Sequence, residues 1–137
     1  MRFEDSKYYS IIPSTKLEFP FGDFYLTETF VISEIGESVH FTWDDALKAI
    51  EIAVTHYPDN HKVVYISNRV NSYSVDPEVW KIISNDFDFI IASAIVYYNN
   101  FSFMSASLEK HFYKESLKRC ESLEEAIVWV KGLKEFN

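Results

Sequence analysis

The sequence predicts a single α/β domain built on one mixed, largely parallel sheet, with about four helices and an antiparallel N-terminal hairpin. Three observations predict it. From Val39 onward, strand-like segments alternate with amphipathic helical ones, the order that a parallel sheet with right-handed crossovers requires. The run Phe89–Tyr98 is almost continuously apolar, as a strand covered on both faces must be. The chain's 137 residues, 47% hydrophobic and 25% charged, suit one folded domain that needs no metal or disulfide staple.

Each element has its own warrant. Residues 1–14 lack a clear period and read as a loosely held arm, anchored by Tyr8 and Tyr9, ahead of a domain over 15–137. Lys16–Phe19, Phe24–Glu28 and Phe30–Ile35 are rich in aromatic and β-branched residues and read as strands. Pro20, Gly22-Asp23 and Gly36-Glu37 punctuate them. Thr42 caps the first helix, whose apolar face runs through Trp43, Ala46, Leu47, Ile50, Ala53, Val54 and Tyr57. Lys62–Ser67 is a buried strand. Asp76-Pro77 opens a second helix with Trp80, Ile83 and Phe87 inward. Ser102–Tyr113 reads as a third, with Met104, Leu108 and Phe112 at helical spacing, and Lys114–Arg119 as a weak strand. Ser122 and Glu125 make a capping box for the last helix.

Charge and composition exclude several functions. Thirteen Lys and Arg against 21 Asp and Glu leave a net charge of −8, which repels nucleic acid and anionic membranes at long range. The most basic stretch, Lys110–Arg119, is diluted by Glu115 and aromatic residues. No apolar run is long enough to span a membrane. The N-terminus lacks a signal-peptide pattern, and the lone Cys120 suits a reducing compartment, so a cytoplasmic location is expected. Aromatic residues reach 18%. A domain this small cannot hide them all, and the exposed ones favour an interface with a protein partner or a second copy of the chain.

The element order and the stretch Tyr65-Ile66-Ser67-Asn68-Arg69-Val70-Asn71-Ser72-Tyr73-Ser74 resemble a group of small bacterial proteins similar to the STAS domains of anti-sigma-factor antagonists and to STAS/Sec14-like domains. The resemblance spans about residues 15 to 134. It implies a regulatory domain that works through protein contacts. STAS regulators resemble one another in an Asp-Ser-x-Gly type motif whose Ser or Thr is phosphorylated. Here the corresponding loop has no glycine, and none of Ser67, Ser72 and Ser74 follows an Asp.

The loop 68–76 and the start of the second helix are the expected binding surface. Ligands of open parallel sheets bind beyond the carboxyl ends of the strands, and Arg69 offers a bidentate fork. The expected contacts are Asn68, Arg69, Asn71, Ser72, Tyr73, Ser74 and Trp80, with Tyr73 and Trp80 as aromatic anchors. An alternative is an apolar or lipid-like ligand under the third helix, near Phe101, Phe103, Met104 and Phe112, as Sec14-like relatives suggest. A third is an enzyme using His40 or Cys120. The sequence identifies no partner group for either residue, so the leading expectation is non-enzymatic. His40, His56, His61 and His111 lack metal-ligand spacing, and neither metal nor cofactor is expected.

Overall fold

The structure, a computed structural model, describes all 137 residues, Met1–Asn137. A 3-10 turn (Phe3–Asp5) and the short helix α1 (Lys7–Ile11) come first. Then follow β1 (Thr15–Phe19), β2 (Gly22–Leu26) and β3 (Phe30–Ile35), which pair antiparallel in sequence order. Gly22 is required at the first turn. Its φ is 155°, and a Cβ there would lie 2.7 Å from the Glu34 carbonyl oxygen and 2.8 Å from Ile35 Cα.

The alternating part is β4 (His40–Phe41), α2 (Trp43–His56), β5 (Val63–Asn68), β6 (Ser74–Val75), α3 (Pro77–Asp86), β7 (Ile90–Val96), α4 (Asn100–Glu109), β8 (Ser116–Cys120) and α5 (Leu123–Lys131). Local signals set the helix starts. The side chains of Thr42, Asp76, Asn99 and Ser122 accept from the backbone N–H of Asp45, Glu78, Ser102 and Glu125. Each satisfies a donor that the first helical turn leaves unpaired. Glu125 reaches back to the N–H of Glu121, one residue ahead of the cap.

The main sheet has the order β1-β2-β3-β5-β7-β8, and β3, β5, β7 and β8 run parallel. The pleat divides each strand between two cores. On one face Val31, Val63, Tyr65 and Ile95 pack against Ala46, Ala49 and Ala53 of α2, Trp80 and Ile83 of α3, and Ala106 of α4. On the other, Phe30, Ile32, Val64, Ile66 and Ala94 pack against α5 and the N-terminal segment.

Three expectations are corrected. The segment 1–14 is not a loose arm: Phe3 is 0% exposed, and α1 makes a fifth helix. The residue is drawn in because its ring meets Tyr25 and Phe30 edge-on, at 5.1 and 6.3 Å between centroids. Val54 points to solvent, and Ala49 takes its place on the buried face of α2. Met104 and Leu108 of α4 also face outward, for a reason that lies in the polar network beneath that helix.

Burial holds several phenols and the thiol neutral. It pushes Tyr98, Tyr113 and Cys120 up to about 12, and raises Tyr25, Tyr57, Tyr65 and Tyr73 as well. A group whose folded pKa is raised stabilises the fold fully below its unfolded pKa and loses that contribution as pH rises through the folded value. The urea midpoint is therefore expected to hold steady up to about pH 9 and to fall steeply between about pH 10 and 12. Tyrosinate absorbance followed over the same range should rise with unfolding. Titration of most of the nine tyrosines ahead of unfolding would contradict the burial.

Candidate functional site

The loop after β5 leads to a buried polar network rather than to an open surface. Arg69 is 2% exposed. Its two terminal nitrogens donate to Glu109 Oε2 and Oε1, each at 2.6 Å, and its Nε donates to Ser67 Oγ at 3.1 Å. Trp80 Nε1 donates to Glu109 Oε1 at 2.7 Å. The guanidinium lies 5.2 Å from the Tyr73 ring centroid, and the Tyr73 hydroxyl pairs with Ser67 Oγ at 2.8 Å. Burial works against the charge on Arg69, but Tyr73 and the Glu109 carboxylate outweigh it and raise the pKa.

This geometry corrects the expected site. Arg69, Tyr73 and Trp80 are buried: Arg69 and Trp80 bind Glu109 of α4, and the Tyr73 ring lies against the guanidinium. Asn68 is also buried, on the opposite face of the sheet. The physical reason is cost. A guanidinium taken out of water must find a carboxylate, and Glu109 is the acid within reach.

Asn71, Ser72 and Ser74 keep surface, but their groups are engaged within the chain. Asn71 Nδ2 donates to the Ile35 carbonyl at 3.0 Å, and the Ser72 N–H to Glu37 Oε2 at 3.0 Å. Residues 74–75 pair with 40–41 in a two-stranded parallel ribbon, where His40 Nδ1 lies 2.7 Å from Ser74 Oγ. That imidazole–hydroxyl pair is exposed, and no carboxylate bonds the other ring nitrogen. The serine of the neighbouring network, Ser67, is 1% exposed and has no histidine beside it. Neither arrangement supplies a nucleophile with an oriented base. Cys120 is buried, and its raised pKa keeps it a thiol.

The ion pair has a consequence on the outside of α4. Glu109 shares a face with Ser102 and Ala106, at seven and three residues' spacing, and all three are buried. Turning that face inward turns Phe101, Met104 and Leu108 outward, at 53%, 65% and 67% exposure. Asn99–Leu108 contains no charged residue. Phe101 and Met104 are therefore not the walls of a pocket under this helix, as a lipid-like ligand there would need. A small apolar cavity does exist between α2 and the sheet, lined by Phe24, Val31, Ala49, Ala53, Tyr65 and others. At about 40 Å³ it holds a few atoms, far less than the several hundred Å³ of an ordinary ligand site.

Two acids that the sequence did not single out organise the interior, Glu109 and Glu34. Both carried a signal. Glu109 follows Ser102 and Ala106 along one helical stripe, and Glu34 follows Phe30 and Ile32 on one face of β3.

No family model matches the chain, and no curated protein matches it. Among solved structures, it is similar to an uncharacterized protein from the DUF3478 family with a SpoIIAA-like fold, from Shewanella loihica PV-4. The identity is 11% and the TM-score 0.52, over 87% of this chain and 93% of that one. The fold is thus SpoIIAA-like, that is, STAS-like, as the element order predicts. No helix is long and apolar enough to cross a membrane.

Proposed function

We propose that this chain is a non-enzymatic regulatory domain that docks a protein partner on the outer face of α4. The observation that carries this reading is that face itself, uncharged over ten residues of a chain of net charge −8, with Phe101, Met104 and Leu108 exposed along it. A contiguous apolar surface of this kind marks an interaction site more often than it marks chance, and large aromatic and Met side chains are enriched in interface cores. The SpoIIAA-like fold agrees with a regulatory role. A cytoplasmic setting suits the single unpaired thiol.

The test is site-specific photo-crosslinking in the native cell. A benzophenone side chain at Met104 is expected to give a discrete adduct, and the same group at exposed Lys48 on α2 to give none. Met104→Glu should abolish capture by a crosslinker placed at Phe101, with little loss of stability because the position is exposed. Equal labelling from positions 104 and 48 would defeat the assignment.

A further inference from the structure

The second buried acid belongs to a different surface, across the carboxyl ends of β3 and β5 on the α5 side of the sheet. There residues 1–4 are read one by one. The Met1 carbonyl accepts from Asn68 Nδ2 at 2.9 Å, and the Tyr98 hydroxyl, which donates to Asn68 Oδ1 at 2.7 Å, lies 3.3 Å from it. The Arg2 guanidinium sits between Asp23 Oδ2 at 3.3 Å and Glu34 Oε1 at 3.6 Å. The Phe3 N–H donates to Glu34 Oε2 at 2.7 Å, and its ring fills a pocket walled by Tyr25 and Phe30. Glu4 accepts from the Tyr25 hydroxyl and pairs with Lys16 Nζ at 2.7 Å.

Packing alone does not call for these side chains. Asp23 and Glu34 stand directly opposite each other in the β2–β3 register, a like-charge pair that weakens a sheet. Glu34 is 4% exposed, and its Oε1 has no hydrogen bond. An apolar residue there would pack against Phe3 without the cost of burying a carboxylate. The acid pair, the carboxamide and the aromatic pocket are instead matched to a guanidinium, a backbone and a ring.

We propose that this groove is a recognition site for an extended peptide segment of the pattern Arg-Phe-acid, and that the chain's own residues Met1–Glu4 occupy it as a resident ligand. A segment of the same chemistry on another protein competes for it. The site is separate from the face of α4 and stands or falls independently of that reading.

The test uses the full-length chain with Arg2→Ala and Phe3→Ala, which removes the two side chains the groove reads, and a synthetic peptide Met-Arg-Phe-Glu-Asp. At ten times its dissociation constant the peptide is expected to raise the Tm of this variant by about 4 °C. It should raise that of the wild-type chain by much less, because its groove is filled. A peptide with Ala in place of Arg and Phe should have no effect. Adding Asn68→Leu to the variant should weaken binding of the first peptide about tenfold. If the double variant does not fold, Arg2→Ala alone is titrated with the same peptide carrying a fluorophore, which is expected to bind it more tightly than the wild type. A folded variant that ignores the peptide, or one that binds the two peptides alike, overturns the proposal.

Discussion

Arg69→Met is expected to lower the unfolding free energy by about 3–5 kcal/mol, the usual cost of leaving one member of a buried ion pair uncompensated. Glu109 would keep only the Trp80 N–H, at 2.7 Å, as a partner for its charge. Replacing both charges, Arg69→Met with Glu109→Leu, should restore most of that loss, because two apolar side chains of similar volume need no desolvation. Urea unfolding of the two variants and the wild type decides the matter. A double variant no better than the single one would mean that the pair stabilises by more than mutual compensation. The same comparison tests the link to α4. With its inward face no longer specified by an ion pair, α4 is expected to rotate and cover part of Met104 and Leu108. The photo-crosslinker placed at position 104 should then lose its adduct even though the double variant folds. Loss of the adduct in a folded double variant would show that the buried pair fixes which side of this helix faces the sheet, a role buried charges fill in some proteins.

Phe3→Ala is the second large effect. The ring is 0% exposed and touches Tyr9, Tyr25 and Phe30. A fully buried Phe replaced by Ala typically costs about 3–5 kcal/mol, the transfer loss plus the cavity left behind. A loose arm would lose only a few tenths. Denaturant titration separates the two, and a loss below about 1 kcal/mol would count against the packed segment. Amide exchange gives an independent reading. The Phe3 N–H, bonded to Glu34, should exchange far more slowly than those of the exposed α2 to β5 turn around Asp59.

Much of the fold was legible residue by residue. Strand segments showed in their aromatic and β-branched content. Helix starts showed in Thr42, Asp76 and Ser122, whose side chains make the caps they predict. The parallel order showed in the alternation of the two periods. These signals are local, since they depend on neighbours within a turn or a pleat. The N-terminal segment was harder to read. Its hydrogen bonds run from Phe3 to Glu34 and from Asn68 to Met1, over 31 and 67 residues, so no local period records them. The loop after β5 is legible as polar, but the direction its side chains take is not. Arg69, Tyr73 and Trp80 do come together, but around Glu109, 40 residues beyond Arg69.

By itself, then, the sequence determined most of the elements, the order of those from β1 onward and the mixed sheet, because caps, turns and hydrophobic period act between near neighbours. It also settled the acidic balance that disfavours polyanions. Only the tertiary structure decided which polar side chains are buried, and hence which surface is left for recognition. That choice depends on whether a charge meets its counter-charge once the layers close. Arg69 met Glu109 inside, the uncharged side of α4 was turned to solvent, and Glu34 was left facing the chain's own first residues.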